Sequence, residues 1–237
     1  MIGCLIIHGF TGGPHELEPL TEYLEANTDW HISVPTLPGH GRNLMLENVN
    51  YKSWLETAEA SLKKLREKYD EIYIIGFSMG GMIAAYLAAK YKVNKLVLLA
   101  TAGKYLSFKQ ISVDLGDVLR DGITGKLGQN KLYCHYKRKL GSVPFRANLE
   151  FLKLVRQTRK YLKNVESPVL IAQGQMDSMV PYKTAYYLDK EIPSKRKEVV
   201  FFERSRHLIC LGNDKDTLNR MVHEFLVKPV EGSEVLV

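Results

Sequence analysis

The sequence predicts an α/β fold, a mostly parallel sheet of six to seven strands with helices on both faces. Three observations carry that expectation. Short, almost uninterrupted apolar runs, as strands buried on both faces require, alternate with longer segments of helical periodicity. Several of the runs end in turns rich in glycine, proline or short polar residues. Between Glu71 and Gly81 a strand, a tight turn and a helix follow one another without a spacer, and the turn reads Gly76-Phe77-Ser78-Met79-Gly80, the pattern G-x-S-x-G. Strand–helix alternation of this kind belongs to parallel sheets with crossover helices.

Taken in order, residues 2–7 are too few for a helix and read as a buried strand that enters the loop His8-Gly9-Phe10-Thr11-Gly12-Gly13-Pro14. Leu17, Leu20 and Leu24 place a helix over 15–26, and 30–34 is a second strand closed by Pro35. No helix can cross Leu37-Pro38-Gly39-His40-Gly41-Arg42. Over 51–69, Trp54, Leu55, Ala58, Leu62 and Leu65 form one apolar stripe, which predicts a helix. The strand 71–75 leads through Ser78 into a helix over 79–91, whose Ala84, Ala85, Ala88 and Ala89 allow close packing on a sheet. Further strands are expected at 95–100, 168–172 and 197–202, with helices at 183–190 and 214–227 and a frayed tail from Lys228.

At 237 residues the chain suits one domain with an insertion or two small domains, and it can bury a core without staples. Cys4, Cys134 and Cys210 are odd in number and widely spaced, with no C-x-x-C, so reduced thiols in a cytoplasmic protein are expected. No apolar run approaches the roughly 18 residues of a membrane span, and no signal peptide is evident. The net charge of +7 is uneven: residues 101–163 hold 14 Lys/Arg against 4 Asp/Glu, and the remainder 19 against 22. That block nearly coincides with 102–165, which breaks the strand–helix alternation. Here Tyr105, Leu106, Phe108, Leu115, Leu119, Tyr133, Tyr136, Phe145, Phe151 and Leu154 are interleaved with lysines and arginines. The expected organisation is a core of 1–101 and 166–237 with a basic, largely helical cap at 102–165 over the carboxyl ends of the strands, its apolar side lining a pocket. The charge suits a solvated lid, an anionic lipid surface or a negatively charged substrate. Nucleic acid fits poorly, because no reader motif accompanies it.

In open α/β sheets, chemistry gathers at the carboxyl ends of the strands. Three such ends carry Ser78, Asp177 and His207. A serine hydroxyl attacks only if a base removes its proton, and that base needs an orienting acid. Ser78 is thus the candidate nucleophile, His207 the base and Asp177 the acid. The amides of Met79 and Phe10 are the candidate oxyanion donors, one following the nucleophile and one in the loop after the first strand. Structural alternatives stay open for each: a helix N-cap for Ser78, a turn residue for Asp177, a surface histidine for His207. Asp189 and Asp214 fit the acid less well, lying in or at the start of predicted helices. His8 and His40 read as loop-shaping, while His15, His31, His135 and His223 read as solvated or packed. Neither metal-ligand spacing nor a nucleotide fingerprint occurs, so no metal or cofactor is expected.

His8-Gly9-Phe10-Thr11-Gly12, Pro38-Gly39-His40-Gly41, Gly76-Phe77-Ser78-Met79-Gly80-Gly81, Gly174-x-x-Asp177 with Val180-Pro181, and Ser205-x-His207 span essentially the whole chain. In these motifs and their order the sequence resembles the α/β-hydrolase superfamily, and within it the small bacterial carboxylesterases and monoacylglycerol lipases. The resemblance implies the roles just given for Ser78, Asp177, His207, Phe10 and Met79. It also implies cleavage of a small-molecule carboxylic ester of an acyl chain through an acyl-enzyme, without a cofactor. The departure is at the amino end, where full-size members begin with two further strands, so a reduced sheet is expected. A fold does not fix a substrate. Thioesterase, amidase and acyltransferase activities therefore stay open, as does a non-catalytic binding protein.

Overall fold

A computed structural model describes residues 1–104 and 143–229. Among them six strands form one sheet: β1 (Ile2–Ile7), β2 (His31–Ser33), β3 (Glu71–Phe77), β4 (Lys95–Leu99), β5 (Val169–Gly174) and β6 (Lys197–Phe202). The order is β2-β1-β3-β4-β5-β6 and every pairing is parallel. Around the sheet lie α1 (Glu18–Asn27), α2 (Tyr51–Arg66), α3 (Met79–Tyr91), α4 (Phe145–Thr158), α5 (Lys183–Glu191) and α6 (Lys215–Val227).

Strand periodicity divides the core into two. Leu5, Ile7, Ile72, Ile74, Leu96, Leu98, Val169 and Ile171 form one cluster with α2, α3, α4 and α5. The intervening Cys4, Ile6, Tyr73, Ile75, Val97, Leu99, Leu170 and Ala172 form the other with α1 and α6. Both strand faces are apolar because both are covered, which is why these strands read as continuous runs. The α/β architecture with helices on both faces is thus as expected, and the differences are local. A 3-10 turn at Pro14–Glu16 precedes α1, which starts afresh at Glu18 with Pro19 in its first turn, where a missing amide costs nothing. As an edge strand, β2 pairs over His31–Ser33. The ladder of β5 runs on through Gln173 and Gly174, which pair with Phe201 and Phe202.

This order places a switch point between β1 and β3. From β1 the chain goes outward to β2, then returns to the other side of β1 to make β3, so the connections diverge and leave a crevice at the carboxyl ends. Ile7 is level with Gly76, so the loop after β1 and the turn after β3 emerge side by side.

Within the expected cap stretch, α4 packs Ala147, Phe151, Leu154 and Val155 into the α2–α3 side of the core. Its buried Glu150 accepts from the Tyr51 amide in the first turn of α2 (3.1 Å) and from Lys153 Nζ (2.7 Å). The Lys153 ammonium holds that carboxyl below the usual carboxylate range. Tyr105, Leu106, Phe108, Leu115, Leu119, Tyr133 and Tyr136 of the expected cap, and most of the expected frayed tail, lie outside the described residues. Among the described residues no helix is long and apolar enough to cross a membrane.

A buried lysine ties the last helix to the sheet. Lys95 opens β4 at 4% exposure and donates to the carbonyls of Phe225 (3.1 Å), Leu226 (2.6 Å) and Lys228. A cation at the end of α6 meets the negative pole of the helix dipole, and burial pushes the amine below the usual lysine range. Lys95→Met leaves these carbonyls without their donor and is expected to lower stability in urea unfolding by about 1–3 kcal/mol. An unchanged midpoint would mean that the cap contributes nothing.

Candidate active site

The turn after β3 is strained. Ser78 has φ 54° and ψ −114°, a conformation that costs an L-residue on the order of 1–3 kcal/mol. It is held by its neighbours: the Ser78 amide donates to Leu99 O (2.9 Å), and its carbonyl accepts from the amides of Gly81 and Ala102 (both 3.1 Å). The two flanking glycines are required by contact. A Cβ on Gly76 would stand 2.3 Å from Gly80 O, and one on Gly80 would stand 2.2 Å from Ile7 O. The start of α3 is thereby pressed onto the ends of β1 and β3. Although Ser78 occupies the N-cap position of α3, its side chain makes no capping hydrogen bond.

That side chain turns instead to His207. Ser78 Oγ lies 3.0 Å from His207 Nε2, and His207 Nδ1 lies 2.7 Å from Asp177 Oδ2. The three residues come from the turns after β3, β5 and β6, and none is more than 7% exposed. With Nδ1 facing a carboxylate, the imidazole carries its proton there, and Nε2 accepts from the serine hydroxyl. Asp177 is a turn residue as well: its Oδ1 accepts from the amides of Met179 (2.9 Å) and Val180 (2.8 Å), which fixes the carboxylate for the histidine. Gln173 Nε2 donates to the other oxygen, Oδ2 (2.9 Å).

The acid and base turns are joined by backbone. Gln175 N donates to Phe202 O (2.9 Å) and Met176 N to Ser205 O (3.1 Å). A Cβ on Gly174 would stand 2.3 Å from Ser205 O, so glycine is what permits the approach. Ser205 Oγ donates to Asp214 Oδ2 (2.6 Å), anchoring the histidine turn to the start of α6. The rival carboxylates are thus engaged elsewhere: Asp214 by Ser205, and Asp189 by Lys197 at 3.0 Å.

Met79 is the first residue of α3, so its amide is a first-turn donor without an intrahelical acceptor, at the positive end of the helix. The loop after β1 runs against the elbow: a Cβ on Gly9 would stand 3.3 Å from Ser78 Cβ. His8 Nδ1 donates to Gly9 O (2.9 Å), and its Nε2 accepts from the Leu37 amide (3.1 Å), linking this loop to the one after β2. Next to it the Phe10 ring stacks on Phe151 of α4 (4.9 Å, 5°) and meets Trp54 and His40 at 5.7 and 5.9 Å. Trp54 Nε1 donates to Pro38 O (2.9 Å), and His40 Nδ1 approaches the same carbonyl at 3.0 Å. His8 and His40 therefore shape loops. His31 stacks on Tyr69, His223 packs against Trp30 and Tyr23, and His135 lies outside the described residues.

Sequence reasoning missed Gln173 as a partner of Asp177, since a polar residue ending an apolar run reads as the start of a turn. It also saw Phe151 as one apolar cap residue among several; its contact with Phe10 has no local signal. Chemically, the arrangement can pass a proton from a buried hydroxyl to an imidazole whose charge a carboxylate then offsets.

Comparison with known proteins identifies the family. The family described as serine aminopeptidase, S33 matches residues 3–216. The chain is 26% identical over 239 residues to the thermostable monoacylglycerol lipase of Bacillus sp. (strain H-257), covering 96% of this chain and 91% of that protein. It is 23% identical over 229 residues to the carboxylesterase of Bacillus subtilis (strain 168), covering 94% and 92%. The crystal structure of Paleococcus ferrophilus monoacylglycerol lipase shares the fold, with a TM-score of 0.72 at 16% identity over 94% of this chain and 93% of that one. The chain belongs to the serine aminopeptidase, S33 family and has the α/β-hydrolase fold.

Proposed function

We propose that the chain is a carboxylic ester hydrolase in which Ser78 is acylated and then freed by water. The observation that carries this reading is the hydrogen-bonded line from Ser78 Oγ through His207 to Asp177, set on a strained elbow. His207 takes the Ser78 proton as Oγ attacks the ester carbonyl, and the amides of Phe10 and Met79 hold the resulting oxyanion. Loss of one such donor costs about 3–4 kcal/mol in other hydrolases. His207 then gives the proton to the departing alcohol, activates a water, and the acid is released. Asp177 orients the imidazole and stabilises its charged form.

The names of the two relatives support an acyl ester as the substrate class. We assign 102–165 as a cap over this site, a reading supported by the stacking of Phe151 on Phe10. The family description also favours a second bond type, an amide, which the same residues could attack. Para-nitrophenyl esters of increasing acyl length, run beside the matching anilides, separate the two. Ester turnover well above anilide turnover is expected, and the reverse would replace the esterase reading with an amidase one.

The cap's charge supports a further reading, attachment to an anionic lipid surface. Phe145 and Leu149 of α4 are exposed (78% and 40%) beside exposed Arg146 and Arg156, while the acid of that helix, Glu150, is buried and paired with Lys153. An apolar stripe flanked by cations suits an anionic bilayer. Sedimentation with phosphatidylglycerol vesicles and not with phosphatidylcholine is expected, weakened by R146Q/R156Q. Equal behaviour with both lipids would remove this reading.

For the catalytic reading, Ser78→Ala is expected to lower kcat on the preferred ester by about four to six orders of magnitude. Because the base is a neutral imidazole, wild-type turnover is expected to fall below about pH 6–6.5. Wild-type rates in Ser78→Ala would overturn the assignment.

A further inference from the structure

We propose that Gln173 is a positioning residue of this site, whose carboxamide aims the Asp177 carboxylate at His207 and moderates how tightly that imidazole holds its proton. The inference rests on the reading of Ser78, His207 and Asp177 as the working residues.

Gln173 is the penultimate residue of β5 and only 1% exposed. Its Nε2 faces Asp177 Oδ2 at 2.9 Å, Val180 O at 3.0 Å and, more loosely, Gly174 O at 3.4 Å. All three are acceptors, so the amide nitrogen is the end of the side chain that can face them. Its two hydrogens are matched by Asp177 and Val180. The Val180 amide in turn donates to Asp177 Oδ1, as does that of Met179. The carboxylate is therefore gripped at both oxygens: Oδ1 by two backbone amides, Oδ2 by Gln173 and by His207 Nδ1. Rotation of the carboxylate would break bonds at both ends.

The electrostatic consequence follows from the shared oxygen. A donor to an ionised carboxylate stabilises its charge, so a carboxylate already holding three other donors draws less strongly on an imidazolium. Among the described residues Asp177 is a charged group bonded to His207, and the Phe77 ring lies 5.1 Å from the imidazole. Glu203, Arg204 and Arg206 on the histidine's own turn are exposed, while Met176 on the acid turn and Ser78 on the elbow bring no charge. Gln173 thus acts on the base through Asp177. A wholly structural glutamine would brace the turn and leave the titration of the histidine unmoved.

The test is the NMR titration of His207 in the wild type, in Gln173→Met, which keeps length and volume but has no donor, and in Gln173→Leu, which has none either. The His207 midpoint is expected to rise by about 0.5–1 pH unit in both variants, which leave the carboxylate one donor short. The acid limb of kcat/KM should move with it. For Gln173→Met, kcat should fall on the order of tenfold with KM within about twofold. Titration curves for both folded variants that superimpose on the wild type would overturn the proposal. Should Gln173→Met fail to fold, Gln173→Leu decides the matter by the same midpoint. The titration needs no substrate, so a shifted midpoint with no ester turnover by the wild type would sink the hydrolase reading and leave the coupling standing.

Discussion

Ser78 is held at φ 54° and ψ −114°, where few L-residues are found, and its hydroxyl faces His207 instead of capping α3. The strain is maintained because the surroundings leave no relaxed alternative. The Ser78 amide is fixed by Leu99 and its carbonyl by Gly81 and Ala102, while Gly76 and Gly80 let the backbones of β1, β3 and α3 meet closer than any Cβ would allow. The sheet order matters for the same reason. Because β1 and β3 are neighbours at the switch point, the loop carrying Phe10 emerges beside the turn carrying Ser78.

The other residues are brought in by β5 and β6. Ser78 and His207 are separated by 129 positions, yet the pairing of Gly174 with Phe202 sets the acid and base turns level, and Gly174 lets them touch. The aspartate is then over-determined, gripped at both oxygens, which suits a group meant to keep one orientation while the histidine changes charge. The Phe10 ring is locked between Phe151, Trp54 and His40, so the loop that carries it is tied to α4 and to α2. Rigidity around a strained serine is the common theme.

Much of this was legible in the sequence because strand ends and tight turns leave local marks. The apolar runs gave the sheet, and the stripe through Trp54, Ala58 and Leu62 gave α2, which stops at Arg66, short of the expected 69. Ser78 stood out by its G-x-S-x-G turn, and Asp177 and His207 because each sits in a short polar turn just past an apolar run; the structure brings all three together. The missing parts are contacts without a local period. Lys95 reads as a polar interruption until the carbonyls of α6, 130 or more positions away, are placed on it. Glu150 meets the start of α2 across 99 positions. Gln173 acts through a carboxylate four residues on, but only because the turn doubles back on the strand. The early break before α1 was missed because Leu17, Leu20 and Leu24 keep a helical spacing across it.

The central claim is that Ser78 is a nucleophile activated by His207. Labelling with a fluorophosphonate followed by peptide mass mapping tests it most directly. The account predicts a single phosphonylated peptide, the one containing Ser78, absent in Ser78→Ala and formed far more slowly in His207→Ala. Labelling at another residue, or no labelling of protein that still turns over esters, would contradict it.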